Sequence, residues 1–244
     1  MKATVHFFLV WGFVIALISS CDFLEDFEKG NGNITTRETD VTDFSRIRIG
    51  GNFDVTLIQT GVNEVRVITD ENLHDFIETV VENNLLEIIQ QKKLISKNKI
   101  RVIIGYDEIE ELRVTGAAMI QNEDYIDEDE FTLRMDGAGM ADIRVRTGFL
   151  HVNLSGAGIV KIAGETDDLD LNLSGAGSVK AFNLESRSCE VVVSGLGGAE
   201  VYVTENLEAR IEGVGGIEYE GNPAHVNTVV NGLGKIRPVE NNIN

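Results

Sequence analysis

Proline and cysteine are almost missing from this chain of 244 residues, with two of each, and basic residues are scarce at 21 against 40 acidic ones. Two cysteines close one disulfide at most, so a cystine-stapled scaffold is excluded. The formal charge of −19 argues against nucleic acid as a partner, because phosphate recognition needs a concentrated Lys/Arg footprint and no such cluster is present. Disorder does not fit either. Apolar residues make up 43% of the chain, enough to fill a core. Long hydrophobic runs are limited to Phe7 to Ile18, too short to span a bilayer comfortably.

That run, preceded by Met1 and Lys2 and followed by small residues, reads as a signal peptide over residues 1–20. The segment Ile18-Ser19-Ser20-Cys21 resembles the bacterial lipobox, in which a small residue precedes a cysteine that is acylated and becomes the first residue of the mature chain. Cys21 is therefore the expected lipid attachment site, and a membrane the expected partner through that lipid. Residues 21–40, with Glu25, Asp26, Glu28, Gly30 and Gly32, read as an acidic tether containing Gly and Asn.

Beyond the tether the chain repeats itself. A Gly-x-Gly element recurs at Gly137 and Gly139, Gly156 and Gly158, Gly175 and Gly177, Gly195 and Gly197, Gly213 and Gly215, and Gly232 and Gly234, with a decayed copy at Gly116-Ala117-Ala118. From Gly116 onward the first glycines are separated by 21, 19, 19, 20, 18 and 19 residues. Aligned on them, apolar columns appear two residues before (Val114, Met135, Leu154, Leu173, Val193, Ile211, Val230) and four before (Leu112, Leu133, Val152, Leu171, Val191, Ala209, with Thr228 last). Polar residues such as His151, Asp170, Glu190 and Glu208 fall between them. Alternation with period two marks a half-buried strand. A second alternation follows each corner, as in Ala141 and Ile143, or Val160 and Ile162. Each repeat thus reads as strand, glycine corner, strand, then a variable loop. Glycine suits the corner because a tight bend needs positive φ or a backbone approach that a Cβ would obstruct.

No helical period fits between the copies, and about 19 residues is half of what a propeller blade requires. The expected fold is all-β, a solenoid of ~19-residue rungs with like residues stacked on like. Residues 41–106 lack the glycine signature yet keep the alternation, in Arg46-Ile47-Arg48-Ile49 and in Phe53-Asp54-Val55-Thr56-Leu57. They are expected to be degenerate early rungs that also cap one end, within one domain over 41–240 whose repeats run from 107 to 238. Leu73 to Glu82 carries a helix-like pattern, but its β-branched run Thr79-Val80-Val81 favours a turn followed by a strand.

The succession Phe44-Ser45-Arg46-Ile47, Gly51-Asn52-Phe53-Asp54-Val55 and Asn72-Leu73, followed by Leu-Ser-Gly-Ala-Gly blocks, resembles the auto-transporter adhesin family with the head GIN domain, found in Bacteroidetes-type bacteria. The resemblance covers nearly all of residues 40–238. It implies a right-handed β-helix-like fold in an exported, often lipid-anchored protein of the cell envelope, with placement at the outer membrane, and it supplies no catalytic residues.

Candidate chemistry is thin. His151 and Asp170 share an outward column on adjacent rungs and could meet, which would allow general acid/base work, but a solvated surface pair is the expected outcome because no nucleophile converges on them. Ser155, Ser174 and Ser194 lack the Gly-x-Ser-x-Gly elbow and read as corner hydroxyls. Cys189, in an inward column, reads as a buried hydrophobe. The glycine blocks lack the third glycine and the βαβ setting of a dinucleotide site. The acidic run Asp124 to Glu130 is a possible Ca²⁺ ligand set, yet it has neither the EF-hand glycine nor a β-roll repeat, and a solvated loop is expected. Asn33, Asn153 and Asn172 match glycosylation acceptors by accident of sequence in a bacterial lipoprotein. No cofactor is implied. The leading expectation is a non-enzymatic, envelope-anchored solenoid whose polar ladders bind glycan or protein. A carbohydrate-active enzyme and a structural or sensory envelope module are the alternatives. A groove lined by acids and aromatics would favour the enzyme, and flat ladders the binder.

Overall fold

Period-two alternation that repeats every 18 to 21 residues can satisfy both burial and backbone pairing only by coiling, each turn laid on the one before. A computed structural model, which describes residues 27–239, has this architecture: a β-solenoid of about seven turns with rungs of about 19 residues. The repeat strands are parallel and in register. Leu133 lies beside Val152, then Leu171, Val191, Ala209 and Thr228, the column read from the glycine alignment.

In chain order the strands are β1 (Phe27–Lys29), β2 (Ile34–Asp40), β3 (Arg46–Gly50), β4 (Asn52–Gln59) and β5 (Glu64–Asp70), then, after a 3-10 turn at Glu71–Phe76, β6 (Ile77–Glu82), β7 (Leu85–Gln90), β8 (Lys93–Ile95) and β9 (Arg101–Tyr106). The repeats hold β10 (Glu111–Val114), β11 (Ala117–Asn122), β12 (Ile126–Met135), β13 (Ala138–Leu154), β14 (Ala157–Leu173), β15 (Ala176–Val193), β16 (Leu196–Ile211), β17 (Val214–Glu220), β18 (His225–Val230) and β19 (Leu233–Pro238). Val152, Leu154, Leu171, Leu173, Val191 and Val193 before the corners, and Ala141, Val160 and Val179 after them, are fully buried. One core runs the length of the coil.

The variable loop expected in each repeat is absent from the central rungs. β13, β14 and β15 run unbroken from one corner to the next, and pairing continues through the segments read as loops. The chain turns there by a change of parity instead: Gly148 and Phe149 both face outward between buried Thr147 and Leu150. Uneven rung lengths are absorbed by register shifts, beside Ile162 in one pair and between Ala181 and Ser188 in the next.

The corners need glycine chiefly for close approach. A Cβ added to Gly175 would land on the carbonyl oxygen of Gly156, one rung below, and the same collision recurs from Gly137 to Gly232. Positive φ is confined to Gly139 and Gly197 among the twelve corner glycines.

The early region supplies two further layers of coil and then closes the end. β3 and β4 stack parallel beneath β10 and β11, and β7 and β9 stack beneath β3 and β4. Antiparallel strands finish the end, β6 on β7, β5 on β9 and β2 on β5. Residues 27–40 are therefore not tether but part of this closure, with β1 paired to β8. Asp70, 2% exposed, accepts the Gly32 amide at 2.6 Å and the Ser96 hydroxyl, and Asn72 Nδ2 donates to the Lys29 carbonyl at 2.9 Å. Backbone and amide bonds hold this segment rather than burial, so its polar sequence carries no hydrophobic mark. Cys21 and the signal-peptide residues lie outside the described residues.

Candidate functional site

The parity turns of successive rungs align, and the surface beside them sinks into an open groove of about 1320 Å³. Eleven carboxylates and three guanidinium groups line it. Its floor is a column of polar side chains that the coil turns inward: Glu128, Thr147, Thr166 and Ser186 on consecutive rungs. Thr147 Oγ1 donates to Thr166 Oγ1 at 3.0 Å, Thr166 Oγ1 donates to the Asp168 carbonyl at 3.2 Å, and Ser186 Oγ donates to the Tyr202 carbonyl at 2.6 Å. These buried hydroxyls are thus paired, as burial requires.

Glu128 closes one end of the column. Burial pushes its carboxyl above the ordinary range, and the neighbouring carboxylates of Glu108, Glu110 and Asp127 add to this, against a lowering by the Ile109 amide bonded to Oε1 at 2.9 Å. Beside it Tyr106 is 1% exposed, and its hydroxyl has no hydrogen-bond partner among the described residues. Burial, then Glu128 and Asp124, push it up to about 12. On the rim, Arg146 lies over the Tyr125 ring at 4.0 Å and faces Glu165 at 3.3 Å, while Arg187 faces Asp167 at 3.4 Å. Charged side chains therefore occupy consecutive rungs along the groove, Asp127, Arg146, Glu165 and Glu185 in one ladder, beside the column of inward hydroxyls.

His151 and Asp170 do meet, Nδ1 to Oδ2 at 3.1 Å. A third residue joins them. Glu130 Oε1 lies 3.5 Å from Nε2, and the Phe149 ring lies 4.4 Å from the imidazole, centroid to centroid. Asp170 thus takes one ring nitrogen in a hydrogen bond, and an exposed carboxylate stands near the other. Glu130 was not legible from the columns because it lies in the parity turn, opposite Phe149 rather than His151. In sequence the signal is masked, because Asp129-Glu130 close a run of four charged residues between Ile126 and Phe131.

The other candidates separate. Ser155 Oγ donates to Asp136 Oδ1 at 2.8 Å, and Arg113 Nε donates to Oδ2 at 2.6 Å. Burial opposes the charged form of Asp136, but these two bonds outweigh it and hold the carboxyl below its ordinary range. Ser174 and Ser194 are exposed at their corners. Cys189 is buried and free; burial first, then Asp170 and Glu190, push its thiol up. The acidic run is not a loop. Residues Ile126 to Glu130 belong to β12, because Ile126 is fully buried against the core and Asp127 and Glu128 pair with Arg146 and Thr147. Among the described residues no group of His, Cys, Asp and Glu is placed to hold a metal ion. Asn153 and Asn172 lie on β13 and β14.

Parallel coils in register and close-packed glycine corners define a parallel β-solenoid. The family described as "Putative auto-transporter adhesin, head GIN domain" matches residues 43–223, and the chain belongs to it. The fold is similar to a crystal structure described as a "putative adhesin" from Bacteroides fragilis, with a TM-score of 0.83 at 24% identity, covering 87% of this chain and 100% of that one. Two proteins of Parabacteroides distasonis are also similar at 24% identity, each match covering 88% of this chain and all of theirs. One is described as a "putative lipid binding protein", TM-score 0.71, and the other as a "putative adhesin", TM-score 0.67. No curated protein matches the chain.

Proposed function

We infer that this chain is a non-enzymatic binding module of the cell envelope, anchored by lipid on Cys21, that receives glycan or protein along the groove. The observation that carries this reading is the ladder of charged side chains on consecutive rungs of the groove, Asp127, Arg146, Glu165 and Glu185, beside the Thr147 and Thr166 floor. Such a ladder offers an extended ligand a charged contact at every rung, without an activated nucleophile. Membership of an adhesin-type family supports binding as the role and placement at the outer membrane, and the lipobox-like Ile18-Ser19-Ser20-Cys21 supports the lipid anchor.

One observation favours a second reading, a carbohydrate-active enzyme. Glu128 is a carboxyl raised by burial in an acid-lined groove, the state a general acid needs. A panel of envelope and host polysaccharides separates the two. The binding module retains one or more of them in pull-downs and degrades none, and Arg146→Glu with Arg187→Glu weakens retention without changing the unfolding midpoint. Turnover of any glycan, lost in Glu128→Gln or in the His151→Asn, Asp170→Asn double variant, would establish the enzyme. The anchor is tested separately: Cys21→Ser should abolish lipid labelling and release the protein from the membrane fraction, and unchanged labelling would refute it.

A further inference from the structure

The far end of the solenoid is an incomplete stack. β18 pairs with β16 alone and β19 with β17 alone, so among the described residues the outer backbone edge of both strands is free. Columns sealed one rung below are open here. Leu207 and Ile211 are 1% and 0% exposed, whereas Val226 and Val230, stacked on them, are each 46% exposed. Leu233, at the corner, is 73% exposed and extends an apolar ridge from Leu196 and Val214. The opposite end is different. Its outermost strands, β2 and β6, carry Arg37, Glu38 and Asp40, and Glu78 and Glu82, charges that deter pairing with another edge. β18, with the sequence His-Val-Asn-Thr-Val-Val, has no charged residue, while β19 carries Lys235 and Arg237 ahead of Pro238 and leaves the corner itself, Gly232-Leu233-Gly234, without a charge.

We propose that this open end is a homodimer interface at which two copies meet tail to tail about a two-fold axis. The shape of the edge selects the occupant. Two strands meet at the Gly232-Leu233-Gly234 corner, so a single straight strand could cover one arm only, whereas the same end of a second solenoid covers both. With the axis through the corner, β18 of one copy lies antiparallel to β19 of its partner and β19 to β18. The contact is isologous and closes on itself. Head-to-tail stacking is blocked by the guarded strands β2 and β6. Charge permits the approach. Residues 221–239 contain Lys235 and Arg237 and no carboxylate, in a chain that has 40. Arg237 is itself paired with Glu218 of the preceding rung. With Arg237 offset by Glu218, each end brings Lys235 as its one further charged side chain among residues 221–239, in place of the rows of carboxylates on the rungs before it.

Disulfide trapping in the full chain in detergent tests this. Leu233→Cys, next to the axis, should form a covalent dimer on mild oxidation, and Ala157→Cys, at an exposed corner in the middle of the rod, should not. Adding Val226→Lys and Val230→Lys to the Leu233→Cys chain should cut trapping by more than about tenfold, with circular dichroism unchanged because both positions are open to solvent. Equal trapping at Leu233→Cys and Ala157→Cys would overturn the proposal, as would trapping indifferent to the lysines. If the lysines unfold the chain, the comparison of the two cysteine positions decides alone. Flotation with anionic vesicles that depends on Val226 and Val230, without trapping, would assign the apolar end to a membrane and also overturn it.

Discussion

Replacing Gly175 by alanine adds a single carbon atom, and the structure places it against the carbonyl oxygen of Gly156. The backbone φ of Gly175 is not in the left-handed region, so the cost comes from contact alone. Relief requires the two rungs to part by roughly an ångström at the corner, where dispersion gives way to repulsion. The bonds stretched by that movement run from the Gly175 amide to the Leu154 carbonyl at 3.0 Å and from the Ala176 amide to the Gly156 carbonyl at 2.9 Å. At ~1 kcal/mol each they contribute ~2 kcal/mol. Overpacking adds ~1–3 kcal/mol. The expected destabilisation is therefore about 3–5 kcal/mol, a large part of the stability of an ordinary domain. Gly216→Ala is the matched comparison. Its Cβ would meet nothing closer than the Lys235 carbonyl at 3.6 Å, and its φ is also unstrained, so it should stay within about 0.5 kcal/mol of the parent or gain slightly from the stiffer unfolded chain. Guanidinium unfolding followed by circular dichroism measures both. Equal midpoints for the two variants would refute the claim that backbone proximity dictates the corner glycines.

Burial predicts a second contrast: Leu173→Asp puts a charge into a column that is 0% exposed and should cost several kcal/mol, while Lys180→Gln, on the outer face, should shift stability by less than about 0.5 kcal/mol. If the outer change proved the worse in denaturant, the inward register would be wrong. The raised pKa of Glu128 makes its ionised form a burden on the fold above the folded pKa, and the burden fades as pH falls below the unfolded value. Glu128→Gln should accordingly unfold at a higher temperature than the parent at pH 7, with the gap closing through the ordinary carboxylate range on acidification. A gap that stays constant or widens toward low pH would contradict the assignment.

The repeats were legible because one number governs them twice. The spacing of the glycines in sequence is the offset of the ladder in space, so Val152, Leu171 and Val191 could be stacked before any pairing was known. The expected turn and strand after Leu73 also fit, as a 3-10 turn at Glu71–Phe76 and then β6. Less visible was anything that breaks period two. The parity turn at Gly148 and Phe149 looks like the edge of a loop when only alternation is sought, and it hid both the groove floor and the Glu130 contact to His151. Residues Ile34 to Asp40 were misread for a different reason. Ile-Thr-Thr-Arg-Glu-Thr-Asp is polar because an edge strand meets water, and what orders it is the antiparallel ladder to β5, which no local pattern reports. The acidic run shows the same effect, since two apolar anchors, Ile126 and Phe131, outweigh the charges between them.

The closed end has a kinetic consequence. Ladder partners in the repeats are 17 to 21 residues apart, so each rung that forms is a short loop closed on a template already in place. Joining the early strands to the repeats requires a longer excursion, because Arg46 pairs with Glu111 and Asn52 with Ala117, and Ser45 and Glu110 bond across 65 residues. Loop entropy makes that closure about 1 kcal/mol harder than adding a rung. Nucleation therefore belongs to the central coils, where contact order is low, and growth proceeds outward from them. β6 and β7 close as a local hairpin about Asn83 and Asn84, whereas β2 can pair only once β5 is in place, so β2 is the last strand of the guarded end to settle.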